Sequence, residues 1–156
     1  MEEILDIYVY YTNFDEMYDL DNSFYGRVLK KENQIEGLIK EYGGHQCFFV
    51  YGSLDNENIS MIQCPKNERL CHRYDAKKDG SKFYGTFSAT DGVLDIPVGE
   101  CQVAMIPAEK TRETTTFEIN GLKRRIELFQ ESLPEKSRQN YNLWKLQQKN
   151  KQLVKK

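Results

Sequence analysis

The sequence predicts an α+β protein in which a curved antiparallel β-meander is followed by two C-terminal helices. Apolar and polar residues alternate through short segments over most of residues 1–119, which is the pattern of half-buried strands. Residues 45–64 place two apolar runs around the polar turn Asp55–Asn58, the clearest hairpin of the chain. After Asn120-Gly121 the apolar spacing becomes that of a helix. Strands followed by helices are typical of an α+β fold with a largely antiparallel sheet.

The size and composition of the chain predict one folded domain with a substantial core. Its 156 residues are enough to bury most of the apolar surface of a single domain. Apolar residues make up 39% of the chain, with ten Tyr and eight Phe. This composition excludes a globally disordered protein.

Short alternating segments separated by turn residues predict a series of strands. Residues 34–42 are ambiguous, because Ile35, Leu38, Ile39 and Tyr42 also recur at helical spacing. The two-residue link to the preceding segment favours a hairpin, and Gly37 disfavours a helix. We therefore predict a strand there. Residues 12–22 are predicted as a short helix or loop and 90–100 as a turn-rich connection. The predicted strands are 4–11, 24–31, 34–42, 47–54, 59–64, 69–76, 82–89, 101–108 and 111–119.

Glycines within the predicted strands indicate strong bending. Phe24-Tyr25-Gly26 and Phe83-Tyr84-Gly85 repeat one pattern, and Val50-Tyr51-Gly52 comes close to it. Glycine inside a strand marks a bulge, a tight bend or the close approach of another chain or ligand. With its short connections, the stretch from residue 24 to residue 108 resembles the up-and-down barrels of lipocalin-like and avidin-like proteins. The resemblance is one of pattern, and it implies a barrel.

Two helices are predicted in the last quarter of the chain. Leu122, Ile126, Phe129 and Leu133 form an apolar stripe at helical spacing. Ser132 is a candidate cap for a second helix that begins near Pro134. We predict an antiparallel β domain over 1–119 and a helical segment over 120–156 packed on it, with a frayed basic end from Lys149. The apolar side of the second helix comprises Tyr141, Leu143, Trp144, Leu146 and Leu153.

The charge is divided between these two parts of the chain. Residues 1–119 carry 12 basic and 21 acidic side chains, and residues 120–156 carry 10 basic and 3 acidic ones. The basic tail either lies against the acidic body or reaches for a partner such as nucleic acid or an acidic protein surface. Its aromatic residues could stack on bases. The candidate contacts are Lys123, Arg124, Arg125, Arg138, Tyr141, Trp144 and Lys145.

The wealth of tyrosine suggests a ligand-binding surface. Aromatic rings supply contact area, while a few polar groups orient a small ligand or a peptide. The alternative is an aromatic core whose tyrosine hydroxyls reach the rim. The candidate ligand-binding residues are Tyr8, Tyr10, Arg27, Tyr51, His72, Arg73 and Tyr84.

Metal and catalytic sites have little support in the sequence. Cys47, Cys64, Cys71 and Cys101, with His45 and His72, lack the spacing of a zinc site. We interpret the cysteines as buried thiols, and we predict neither a metal site nor a cofactor. A hydrolase that uses Cys101 with His72 is geometrically possible, but no helix N-terminus follows Cys101 to activate it.

The predicted role is non-enzymatic binding in the cytoplasm. No apolar run reaches the roughly 18 residues of a membrane span, and the acidic N-terminus lacks the features of a secretory signal. We expect recognition of a protein partner or small ligand through an aromatic sheet face, the basic helices or both, with no membrane contact. The alternative is a nucleic-acid-associated accessory protein that uses the basic tail. A Cys-dependent hydrolase is the third hypothesis.

Overall fold

A computed structural model of the chain shows a closed eight-stranded antiparallel barrel followed by two helices. The structure describes residues 2–13, 22–66, 70–107 and 116–154. Each strand pairs with the next along the chain, and β8 pairs with β1 to close the barrel. This confirms the predicted fold class. The elements are β1 (Glu2–Asn13), β2 (Asn22–Lys31), β3 (Gln34–Glu41), β4 (Cys47–Leu54), β5 (Asn58–Cys64), β6 (Cys71–Asp79), β7 (Lys82–Thr90), β8 (Asp95–Pro107), α1 (Thr116–Gln130) and α2 (Glu135–Val154).

The main core fills the inside of the barrel. Side chains alternate between the two faces of each strand, so Ile7 and Val9 of β1 point inward, whereas Tyr8 and Tyr10 point outward. Eight strands leave an interior just wide enough for side chains to fill. Large apolar residues from all eight strands occupy it, among them Ile39, Val50, Met61, Tyr74 and Val103.

Inward-facing glycines let neighbouring strands come close together. A Cβ added to Gly85 would collide with the carbonyl oxygen of Asp75 on β6. The same collision with the neighbouring backbone occurs at Gly26 and Gly52. The approaching group at these glycines is therefore a neighbouring strand of this chain, whereas the sequence predicted a bulge, a tight bend, another chain or a ligand.

The helices pack on the outside of the barrel wall and form a second core there. Leu122, Ile126 and Phe129 of α1 and Tyr141 of α2 cover outward-facing side chains of the barrel. This explains why both faces of β4 are apolar, because one face fills the barrel and the other lies beneath the helices. The covered barrel residues are Ile4, Phe49, Tyr51, Cys64 and Cys71. Neither helix, within the residues that the structure describes, is long and apolar enough to cross a membrane.

Ion pairs join the basic tail to the acidic barrel. Nζ of Lys123 lies 2.9 Å from Glu2, and Nζ of Lys145 lies 2.7 Å from Glu36. Both acceptors are on the strand faces that the helices approach. At these two positions the tail lies against the body, which was one of the two predicted arrangements.

Several predicted boundaries agree with the structure. The strand preferred for residues 34–42 is confirmed as β3, and the hairpin of 45–64 is confirmed as β4 and β5. The candidate helix or loop over 12–22 falls mostly outside the described residues, as do residues 111–115 of the candidate last strand.

Other boundaries were wrong. Residues 95–100 belong to β8 rather than to a connection, because Asp91 Oδ1 accepts hydrogen bonds from the backbone N–H groups of Val93 and Leu94 and closes a tight turn. Residues 116–119 form the first turn of α1 instead of a strand, since Ile119 continues the apolar stripe of that helix.

The start of α2 also differs from the prediction. The Ser132 hydroxyl donates to the carbonyl of Phe129, so it closes the end of α1 instead of capping α2. The carbonyl of Pro134 accepts the first helical bond, from Arg138 N–H. The helix continues to Val154, and the fraying expected from Lys149 stays a prediction.

Candidate functional site

Tyrosines gather on the barrel wall that the helices leave uncovered. Tyr8 of β1 is directly opposite Tyr25 of β2, and Gln102 of β8 separates Tyr10 from Tyr84. Tyr8, Tyr25 and Tyr84 keep 50%, 40% and 44% of their surface exposed. Tyr42, in the turn after β3, is 78% exposed. We call this surface the tyrosine face; it consists of Tyr8, Tyr10, Tyr25, Tyr42 and Tyr84.

Two shallow grooves run across the tyrosine face. The first has a volume of about 300 Å³ and lies among Tyr8, Tyr25 and Tyr42, with Lys82 on its edge. The ring of Tyr42 meets that of Tyr25 edge-on at 5.9 Å. The second groove, of about 590 Å³, runs along Tyr10 and Tyr84 toward Glu100. Each groove thus offers aromatic rings with polar groups at the rim.

Tyr51 occupies a different place from the other predicted tyrosines. It is 2% exposed and stacks on Phe49 beneath α2. The rings of Tyr141 and Trp144 pack against it at 5.2 and 5.1 Å. Burial, together with the nearby Cys64 and Cys71, raises its pKa well above the ordinary value. These three rings hold α2 on the barrel.

His72 points into the barrel, in a cluster of rings. Its ring meets Phe87 edge-on at 4.8 Å and Tyr11 at 5.9 Å. Burial lowers its pKa to about 4, so the imidazole is neutral near pH 7. It is therefore part of the interior and not of the tyrosine face.

A buried hydrogen bond lies next to His72 in the barrel. The Tyr74 hydroxyl donates to Gln63 Oε1 over 2.6 Å, and both side chains are fully buried. Gln63 Nε2 has no hydrogen-bond partner among the residues described. The Tyr74–Gln63 hydrogen bond is therefore a buried polar contact beside the aromatic rings around His72.

The two predicted arginines pair with carboxylates on the outer wall. Arg27 Nε lies 3.2 Å from Asp6, on the row of residues next to Tyr8 and Tyr25. Arg73 Nε lies 3.2 Å from Asp95, on the other side of the barrel near α2. Arg27 therefore borders the tyrosine face and Arg73 does not.

The structure brings together some of the seven predicted ligand-binding residues. Tyr8, Tyr10 and Tyr84 share one surface, and Arg27 lies beside it, whereas Tyr51, His72 and Arg73 lie elsewhere. The part of each residue in binding stays a prediction. Sequence reasoning missed Tyr25 and Tyr42 as members of this surface. Tyr25 had a usable signal, since its aromatic-Gly context is the same as that of Tyr84.

The basic-tail candidates also differ in their surroundings. Lys123 and Lys145 pair with barrel carboxylates, and Arg124 lies 3.5 Å from Glu127. Arg125 and Arg138 are exposed. Binding of a partner by this set stays a prediction, and Tyr141 and Trp144 would have to leave Tyr51 to stack on bases.

Cys101 shows no sign of activation as a nucleophile. It faces the interior and donates to the carbonyl of Thr86 over 3.6 Å. Burial raises the pKa of its thiol to about 12, whereas a catalytic thiol needs a lowered pKa. Across the described part of the chain, His, Cys, Asp and Glu side chains form no group of three or more that could hold a metal ion.

No protein-family model, curated protein or solved structure matches the chain. A barrel with clustered aromatic residues is compatible with a binding protein. A more specific function has to be inferred from the geometry of its surfaces, and the tyrosine face is the most distinctive of them.

Proposed function

We propose that the protein is a non-enzymatic binding protein that recognises a protein partner through the tyrosine face. The observation that carries this proposal is the clustering of large, exposed rings on one wall of the barrel. Contiguous exposed apolar surface of this kind marks interaction sites. Tyrosine suits such a site, because it gives a large contact area with few rotatable bonds and a hydroxyl for hydrogen bonding.

The shape of the surface favours a protein over a small ligand. Small-ligand sites enclose most of the ligand's surface, but the rings of Tyr8 and Tyr84 stand on the convex outside of the barrel. The inside is filled by the side chains of the core. A broad partner surface can cover shallow grooves of this kind.

Charges around the tyrosine face define the complementary surface. Lys40 is opposite Tyr25, and Lys82 lines the first groove. Glu100 lies at the far end of the second groove. The expected partner has an apolar centre, an acidic group near the two lysines and a basic group near Glu100.

A matched pair of variants tests the proposal. Tyr8→Ser with Tyr84→Ser removes two rings of the tyrosine face. Phe117→Ser with Leu128→Ser removes two exposed apolar side chains, 86% and 50% exposed, from α1. Each immobilised protein is incubated with an extract of the source cells, and the retained proteins are quantified by mass spectrometry.

We expect at least one protein to be retained by both the wild type and the α1 variant. The tyrosine variant should retain roughly tenfold less of that protein, since the loss of one hot-spot residue weakens the binding free energy by at least about 1.4 kcal/mol. A photo-crosslinking residue in place of Tyr84 should link to the same protein. Equal retention by all three proteins, with circular dichroism showing that all are folded, would contradict the proposal.

The rival hypothesis of nucleic-acid binding predicts a different result. A protein that binds through the basic tail would be retained on heparin, would elute steeply with salt, and would lose retention when Arg125 and Arg138 are changed to Glu. We expect weak retention, because the excess of acidic residues over 1–119 repels a polyanion. Strong retention that the tyrosine variant preserves would overturn the tyrosine-face proposal in favour of this rival.

A further inference from the structure

Two cysteines face each other at the end of the β5–β6 hairpin. The register of β5 and β6 ends at the pair Gln63 and His72, and Cys64 and Cys71 are the next residues on the two strands. Their Sγ atoms are 3.2 Å apart. Oγ of Ser137, on α2, lies 3.6 Å from Sγ of Cys71. The two thiols therefore lie together in the seam between the barrel and α2.

We propose that Cys64 and Cys71 are a reversible disulfide-forming pair, oxidised by a low-molecular-weight disulfide of the glutathione class. Directly opposed residues of antiparallel strands have Cα atoms roughly 4.5–5.5 Å apart, within the range that a disulfide requires. The sulfur atoms have to approach by only about 1 Å to reach the length of a disulfide bond.

The other two cysteines lack this arrangement. Cys47 is exposed at the start of β4 and is therefore not the buried thiol that the sequence predicted. Cys101 is directed at the carbonyl of Thr86 inside the barrel. Only Cys64 and Cys71, among the four, have a sulfur–sulfur contact in the described structure. The proposed chemistry is therefore specific to one pair.

The exchange proceeds in two balanced steps. The Cys71 thiolate attacks one sulfur of the small disulfide, forming a mixed disulfide and releasing one small thiolate. Cys64 then loses its proton and attacks Sγ of Cys71, which releases the second small thiolate and forms the Cys64–Cys71 bond. The two protein thiols lose two electrons and two protons, and the small disulfide is reduced to two thiols.

The surroundings assign the first attack to Cys71. In the resting pair the Cys71 thiol donates to Sγ of Cys64. Once Cys71 is ionised, its thiolate can accept hydrogen bonds from the Cys64 thiol and the Ser137 hydroxyl, and these lower the pKa of Cys71 despite its burial. The same contact and burial raise the pKa of Cys64. Cys71 is 6% exposed and Cys64 is 1% exposed. Cys71 is thus the better nucleophile and the less deeply buried residue of the pair.

The test uses the unmodified chain. Reduced protein is equilibrated with mixtures of reduced and oxidised glutathione, quenched with N-ethylmaleimide, digested and mapped by mass spectrometry. We expect a peptide that links Cys64 to Cys71 to accumulate as the oxidised share rises, and to disappear on return to excess reduced glutathione. Cys101 should stay a thiol throughout. Cys47→Ser serves as the matched control, and its linked peptide should form to the same extent.

A second variant tests the order of the steps. In Cys64→Ser the mixed disulfide has no resolving thiol, so glutathione should accumulate on Cys71. The proposal is overturned if both Cys64 and Cys71 are alkylated across the whole range of mixtures in the unmodified chain. It is equally overturned if either cysteine links mainly to Cys47 or Cys101.

Discussion

The hydroxyl of Tyr141 on α2 donates a 2.7 Å hydrogen bond to Oε1 of Glu36 on β3. The same carboxylate oxygen lies 2.7 Å from Nζ of Lys145, one helical turn further along. Burial and the Glu36 charge raise the pKa of Tyr141, so its phenol remains a donor at all ordinary pH values. One carboxylate of the barrel thus fixes the orientation of α2.

Removing the Tyr141 hydroxyl should weaken the attachment of α2 to the barrel. Tyr141→Phe leaves the ring against Tyr51 but deletes the hydrogen bond, so we expect the free energy of unfolding to fall by about 1–2 kcal/mol. Urea denaturation followed by tryptophan fluorescence measures it, because Trp144 packs at the same place. Tyr42→Phe, at an exposed site, should change the stability little. Equal effects of the two variants would show that the Glu36 bond contributes nothing.

Two glycines should respond to alanine in opposite ways. A Cβ at Gly85 would collide with the backbone of β6, so Gly85→Ala should lower the free energy of unfolding by roughly 2 kcal/mol or more. Gly121 lies within α1 with open space around its Cα, so Gly121→Ala should raise it by up to about 1 kcal/mol. Thermal and urea unfolding measure both. If Gly85→Ala left the free energy of unfolding unchanged, β6 and β7 could move apart to accept the Cβ without loss of stability, which would contradict the prediction.

The buried pair of Tyr74 and Gln63 should show strong coupling. Tyr74→Phe leaves Gln63 Oε1 buried without its donor, which should cost about 1–3 kcal/mol of stability. Adding Gln63→Leu removes the unsatisfied amide altogether, so the double variant should recover much of that loss. A double-mutant cycle from urea unfolding gives the coupling. If the effects of the two substitutions on the free energy of unfolding were additive, Tyr74 and Gln63 would not be coupled by the hydrogen bond described above.

His72 should make stability depend on pH. Its pKa in the folded protein is about 4, below the ordinary 6.5, so between these values the unfolded chain binds more protons. The contribution of His72 to the free energy of unfolding is therefore present in full above pH 6.5 and is lost as the pH drops toward 4. The free energy of unfolding should fall by about 2 kcal/mol between pH 7.5 and pH 5. Urea unfolding at a series of pH values measures the slope.

The control for this slope is the other histidine of the chain. His45 is exposed, so His45→Gln should keep the pH dependence, whereas His72→Gln should remove most of it. Carboxylates titrate in all three proteins, so the difference between them isolates His72. Parallel curves for the two variants would show that His72 is not buried as described.

The sequence was informative where local pattern and final position coincide. Alternation identified the hairpins, the aromatic-Gly repeats indicated strong bending of the strands, and the stripe from Leu122 to Leu133 located the helical surface. The sequence-based prediction failed at residues 116–119. Threonine-rich segments favour strands, but the packing of Ile119 against the helix-covered core makes this segment part of α1. By sequence, Ser132 suits either the end of α1 or the start of α2. Only its hydrogen bond to the carbonyl of Phe129 assigns it to the end of α1.

The sequence by itself determined that this chain forms an antiparallel, strongly bent sheet with helices at its end, because strand alternation and helical periodicity are local properties. Which face of each strand turns inward was decided only by closure of the barrel. That closure placed Ile7 inside and Tyr8 outside, and it set Tyr51 under α2 instead of beside Tyr84. The register likewise brought Cys64 to Cys71. These relationships join residues on different elements, and strand pairing and helix docking create them.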